Sequence, residues 1–569
     1  MTGDLAERGT ARQRGSGIGR AAVMIGVITV LARLVGFGRQ VVFAHTVGTT
    51  CLGTAYTTAN MVPNIIYDIV LGGALTSVVV PVLAGPAGAA SGVRPEAGPE
   101  SGPESGGAVA RRISAALLTW TVMLLFPVSA ALALAAHPIV SVLLSGASGC
   151  NRSALTSVGT RMLIVFAPQV LLYGLAVVLY GILQSHRRFG APALAPLLSS
   201  LVVIGAYAGF DAVGGAYVNE LGELPPHAEY VLSGGTTLGV LALVLTAVIP
   251  VWRLHIRIRP TLRFPAGVGS RVRRLAMTGV AALIAQDASV AVVIVLANHY
   301  GADGSLVIYG FAWAVFVVPY AVLAIPIATS AFPELSMHDV QAGPGFDATA
   351  AASTRAAMVA SWLGAAVLIG AREPIARVFE SRSPEGASVL ALALAAFALG
   401  LVGYGLSANL SRVLYARRRN GAPAAAIAGG WLLVIVADVL IVPFVPATRV
   451  VPVLGLGTTF GLTVSGIALL VLVRRERGPA ALRGVSRAFL AGLAGCAAGA
   501  LAGSALTAVL PASEKSGLLV NIGLSVAVTA VVAGVFAMVV LGLDDGDLRS
   551  ALSRLRTRPS VETGPSADA

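Results

Sequence analysis

The sequence predicts an all-α polytopic membrane protein with fourteen transmembrane helices. Three observations carry that prediction. Of its 569 residues, 56% are hydrophobic and only 11% charged, against about 25% charged residues in soluble domains. The apolar residues fall into runs of about 20 or more, the length needed to cross a bilayer as a helix. The arginines, which dominate a net charge of +13, gather in alternate short loops between these runs. A charge of this size in a soluble chain would point to nucleic acid. Here it is the pattern that orients membrane helices and touches anionic lipid, so nucleic acid is not an expected partner.

Residues 1–19 read as a basic, Gly-rich cytoplasmic tail. The apolar run that follows continues into Arg33 without a small-residue cleavage site, so it reads as an uncleaved first span. The spans then fall at roughly 20–46, 52–84, 112–146, 154–185, 190–212, 230–252, 273–299, 305–335, 354–380, 388–416, 422–446, 450–473, 484–510 and 517–543. Arginines mark the tail, Arg94, Arg111 and Arg112, Arg187 and Arg188, Arg253 to Arg274, Arg417 to Arg419, Arg474 to Arg477, and the segment from Arg549. The intervening loops are poor in arginine or acidic, as between Asp211 and Glu229. Loop 372–387 is mixed in charge and 336–353 weakly acidic, two departures from the alternation. The pattern places both termini in the cytoplasm. The Pro/Gly/Ser/Glu-rich stretch 85–110 reads as a flexible linker, 253–272 as a basic cytoplasmic connector, and 544–569 as a cytoplasmic tail.

Short echoes recur six spans apart: RRFGAPALAPL with RRNGAPAAAIA, AHPIVSVLL with REPIARVFE, and VVPVL with AFPEL. An even offset keeps orientation. The chain therefore reads as two six-helix lobes in parallel pseudo-repeat, 20–252 and 273–475, with two further helices at 484–543 and substrate between the lobes near the midplane.

The hairpin from Leu31 to Pro81 carries the chemistry. Its first helix holds Arg33 and Arg39, and an intramembrane arginine costs about 2.5–3.5 kcal/mol on insertion scales. The pair project about 120° apart on a helix, close enough to line one wide cleft. The second helix holds Asn64 and Asp68. Arg33 suits a phosphate, which a guanidinium grips with two hydrogen bonds, and Arg39 would assist. The structural alternative pairs these arginines with Asp68 or with helix-end carbonyls. Asp287 and Asp438 are isolated carboxylates in apolar spans, which bind a cation, carry a proton or pair internally.

No Walker-type lysine motif and no H-E-x-x-H run occurs in the sequence, so no catalytic role, cofactor or metal is expected. A transporter driven by Na+, H+ or the membrane potential is the expected class. Cys51 and Cys150 fall on the same external face, which permits a disulfide. Spacing alone does not supply the geometry, and two separate thiols are the expectation. Cys496 reads as a small packing residue.

Four segments carry a resemblance: ARLVGFGRQVVFAHTVG, ANMVPNIIYDIVLGGALTSVVVPVL, GILQSHRRFGAPALAPLLSS and VVPYAVLAIPIATSAFPELS. With them the chain resembles the MurJ/MviN lipid II flippases of the multidrug/oligosaccharidyl-lipid/polysaccharide exporter superfamily, in their actinobacterial form. The resemblance implies a V-shaped cationic cavity between two lobes, with the last two helices adding a groove for the lipid tail. It implies movement of undecaprenyl-pyrophosphate-linked peptidoglycan precursor from the inner to the outer leaflet. It implies membrane lipids and cell-wall synthesis proteins as partners. Two first-helix arginines of the family fall on Arg33 and Arg39, and a sodium site of some members falls on Asp287 and Asp438. Thr54, Tyr67 and Ala314 stand where the family often has charged residues. That departure keeps open an exporter of another polyprenyl-linked saccharide or, further off, a drug/cation antiporter.

Overall fold

A backbone in hydrocarbon must satisfy its own hydrogen bonds, and a chain this apolar does so by forming helices. The computed structural model describes residues 24, 27–70, 106–147, 149–186, 188–253, 260–263, 268–339, 344–379, 384–417, 421–510 and 517–543. The two tails, most of the 85–110 linker, Arg187, Arg418 and Arg419 lie outside the described residues, as does the second half of the 52–84 span.

The described elements are helical. They are α1 (Val27–Thr46), α2 (Cys51–Val70), α3 (Gly106–Leu134), α4 (Ala136–Leu143), α5 (Arg152–Phe166), α6 (Gln169–Ser185) and α7 (Gly190–Gly214). There follow α8 (Pro226–Trp252), α9 (Val268–Tyr300), α10 (Ser305–Pro319), a π turn (Tyr320–Ala324), α11 (Ile325–Asp339), α12 (Pro344–Gly370) and α13 (Arg372–Val378). The last are α14 (Pro384–Ala398), α15 (Gly400–Ala416), α16 (Gly421–Ile441), α17 (Val450–Arg477), α18 (Val485–Val509) and α19 (Leu518–Leu543). Leu124, Phe126, Leu490, Leu501, Val526 and Met538 lie exposed on their helices, as a lipid-facing surface requires.

Among the described residues, 12 helices are long and apolar enough to cross a membrane, and 13 if the bent α14–α15 pair, turned by 43°, is one span. The expected fourteen is not reached. The shortfall lies at 52–84: its described part, α2, carries Thr54, Thr57, Thr58, Asn60, Asn64 and Asp68 and is too polar to qualify.

The helices group into two units. One comprises 1–314, 379–393 and 420–461, the other 315–378, 394–419 and 462–569. In the first unit α7 packs along α8 and α9 along α16; in the second α18 packs between α12 and α19.

Four loops of the first unit are tied together at one end. Cys51, at the start of α2, is disulfide-bonded to Cys150, with a Cα–Cα distance of 5.8 Å. This corrects the expectation of two separate thiols. The spacing of 99 residues carries no geometry, and the turn after α4 delivers Cys150 to the α1–α2 turn. Beside it, Leu52 N donates to Val218 O at 3.0 Å and Asn298 Nδ2 to Thr58 Oγ1 at 3.0 Å and Leu143 O at 3.1 Å. Gly304 N donates to Thr54 Oγ1 at 3.3 Å. Gly304 has φ +77° and lies so close to Thr49 that a Cβ would fall 2.7 Å from its side chain, so only glycine fits. Thr54 is thus a tie to the α9–α10 turn. Denatured without reductant, the chain should take up one alkylating label, at Cys496, and three after reduction. Three labels without reductant would refute the cross-link.

Candidate functional site

The polar groups of the first unit's interior meet where α1, α2, α6, α7 and α8 pack. Phe43, one turn beyond Arg39 on α1, contacts the rings of Tyr56 (5.1 Å) and Tyr207 (5.2 Å). Tyr56 hydroxyl shares hydrogen bonds of 2.9 Å with Tyr207 and of 2.9 Å with Thr236. Such a chain lets three polar side chains sit buried without an orphaned hydroxyl. Arg39 is half-buried and within electrostatic reach of Tyr56, Tyr173 and Tyr207.

Two turns further along α2, Asn64 Oδ1 accepts a hydrogen bond from the Tyr173 hydroxyl at 3.0 Å. Tyr67 lies against Tyr173 with ring centroids 4.2 Å apart. Asp68 is exposed and within electrostatic reach of Tyr67, Tyr173 and Asp287. Asn64, Asp68 and Arg39 are therefore brought to one neighbourhood, joined by tyrosines. Arg33, about 9 Å further along the α1 axis, emerges exposed between the exposed Val30 and Leu34.

Asp287 and Asp438 are both buried, at 3% and 1% exposure. Among the described residues, Asp287 Oδ2 and both carboxylate oxygens of Asp438 have no hydrogen-bond partner. Their recorded neighbours differ. The acidic neighbour of Asp287 is Asp68, whereas Asp438 faces Tyr309 and Gly457, whose missing side chain leaves room for the carboxylate. Among the described residues no three His, Cys, Asp or Glu side chains converge as a metal would require. A sodium ion also takes carbonyl and hydroxyl oxygens, which such a carboxylate cluster does not count.

Two features escaped sequence reasoning. Glu229, at the start of α8, is buried and bonded by Arg161 through Nε (3.1 Å) and Nη2 (2.7 Å). Arg412 lies within a span on α15, donates to Ala408 O at 2.6 Å and reaches Tyr320 and Tyr415 electrostatically. Arg412 was signalled only as a charge inside an apolar run, whereas Glu229 closes an acidic loop where one more carboxylate carries no signal.

This architecture recurs in known proteins. A solved structure of lipid II flippase MurJ in an inward closed conformation superposes with a TM-score of 0.65 over 90% of this chain and 98% of that chain, at 17% identity. An inward-facing multidrug resistance transporter of the MATE family matches at 0.59, over 80% of this chain and 98% of that one, at 13% identity. At such identities the likeness is one of fold. The probable lipid II flippase MurJ of Rhizobium meliloti (strain 1021) is 27% identical over 316 residues, 53% of this chain and 55% of that protein. The match thus spans about half the length of that relative. The family model for lipid II flippase MurJ matches residues 43–535, a stretch that begins just beyond Arg39. The chain is a multi-span membrane protein, and it belongs to the lipid II flippase MurJ family.

Proposed function

We propose that this protein moves lipid II, the undecaprenyl-diphosphate-linked peptidoglycan precursor, from the inner to the outer leaflet of the bacterial cytoplasmic membrane. It works by alternating access, with both termini in the cytoplasm and the two six-helix lobes, 20–252 and 273–475, enclosing the cargo. Arg33 and Arg39 hold the diphosphate, and Asn64 and Asp68 line the same path. The observation that carries this reading is Arg39, half-buried and within electrostatic reach of Tyr56, Tyr173 and Tyr207. A guanidinium in apolar surroundings is costly unless an anion visits it, and no carboxylate among the described residues forms an ion pair with it.

The uncharged Tyr67 favours a second reading, an exporter of another polyprenyl-linked saccharide, because an aromatic face suits a sugar ring better than a phosphate. Asp438 is the candidate for energy coupling. A bare carboxylate there would be far costlier than one holding a proton or a cation. An isolated carboxylate of this kind suits a proton better than Na+.

The decisive test is whether this gene rescues growth of a strain depleted of its lipid II flippase. Rescue is expected, with Asp438→Asn reaching the membrane but failing to restore growth. Failure of the parent chain to rescue, with a different lipid-linked precursor accumulating when the native gene is depleted, would establish the second reading.

A further inference from the structure

The second unit holds a cavity of about 280 Å³ where α13 meets the ends of α12, α18 and α19. Arg372, Glu373 and Arg377 project from α13, while Ser504 and Thr507 come from α18. Its place along the helices is informative. The start of α12 is bound to the arginine-rich end of α17, Arg477 Nε reaching Asp347 Oδ1 at 2.8 Å, and Arg355 donates to Arg483 O at 2.7 Å. The span Gly345–Gly370 covers 26 residues, so the cavity lies about 40 Å away, at the opposite membrane face. That is the side of loop 372–387, whose mixed charge departs from the alternation of the other loops. Orientation therefore does not account for these two arginines.

Among the described residues, its lining holds two guanidiniums and one carboxylate. Arg372 is committed to neither of its neighbours: Nε stands 3.6 Å from Glu373 Oε1 and Nη1 3.4 Å from Ile369 O, both at the long edge of such contacts. Two hydroxyls add donors for a phosphate. The remaining wall is apolar, with Pro374, Leu510 and Leu524, and Leu510 at its rim is exposed, as is its chain neighbour Val509. A free anion makes no use of such a rim, whereas a phosphate carried on hydrocarbon chains does. The volume fits a headgroup and leaves the chains on the outer surface.

We propose that this cavity binds the phosphate of an anionic glycerophospholipid drawn from the leaflet on that side. The site is separate from the Arg39 neighbourhood and does not depend on what the protein transports.

The full chain, purified in a non-ionic detergent, is titrated with phosphatidylglycerol, phosphatidylcholine or inorganic phosphate, and adducts are read by native mass spectrometry. Phosphatidylglycerol is expected to bind in preference to the other two. Arg372→Ala and Arg377→Ala should each weaken it about tenfold, the loss of one charge-assisted hydrogen bond. Glu373→Gln should tighten it, a gain that misfolding does not mimic, and Arg449→Ala, in a different loop, should leave it unchanged. Equal retention of phosphatidylcholine, or binding unaltered in all three cavity variants, would overturn the proposal. Inorganic phosphate binding as well as the lipid would assign the site to a soluble anion and overturn it equally.

Discussion

Arg39→Ala is expected to abolish rescue of a strain depleted of its lipid II flippase, while the variant reaches the membrane at the parental level. The side chain sits half-buried beside three tyrosines, where each charge-assisted hydrogen bond to a phosphate is worth about 1.5–3 kcal/mol. Loss of a two-pronged grip therefore costs roughly two to four powers of ten in cargo affinity. Arg39→Lys keeps the charge and loses the fork, so it should rescue weakly. Arg33→Ala should also abolish rescue, since the proposed path takes the diphosphate past both arginines in turn along α1. Full growth of both alanine variants would remove the guanidiniums from the transport step and leave them a structural role.

The second large effect is on assembly. In the second unit α15 crosses α17 so closely that a Cβ on Gly403 would meet the backbone of Leu462, and one on Gly466 would lie 3.0 Å from the Cα of Gly403. Ser407 and Ser465 hydroxyls, 3.3 Å apart, close the same seam. Small residues let membrane helices approach until main chains touch, and dispersion does the rest. Gly403→Leu must separate the helices and should cost on the order of 4 kcal/mol, at the top of the range for single substitutions. Gly429, in α16, has open space where its Cβ would be, so Gly429→Leu serves as the matched control. Heating the detergent-solubilised proteins and following the monodisperse peak in gel filtration should show a lower midpoint for the first and no change for the second. An unaltered midpoint for Gly403→Leu would mean that the seam does not hold the unit together.

Helices and their order were legible in the chain because hydropathy is a property of consecutive residues. The hairpin was legible too, since charges inside an apolar run mark themselves. The same polarity kept α2 from qualifying as a span, so one feature singled out the candidate residues and spoiled the count. What stayed hidden depends on distance in space. Tyr173 and Thr236 reach Asn64 and Tyr56 across 109 and 180 residues, and tyrosines elsewhere in the chain look no different. The Cys51–Cys150 cross-link was hidden for the same reason. Asp287 and Asp438 show the converse: alike in sequence, they lie in separate surroundings, one near Asp68 and one against Gly457.

The knot of loops around Cys51 bears on how such a machine can move. A covalent bond, a glycine seated on Thr49 and the Asn298 hydrogen bonds fasten the ends of α2, α4, α9 and α10 at one level. Helices pinned at one end can swing only as a bundle, like spokes fixed at a hub, and the sweep grows with distance from the pin. Whatever opens and shuts within the first unit therefore does so at the far ends of these helices. Tension applied there is borne at the hub by a sulfur–sulfur bond rather than by packing alone.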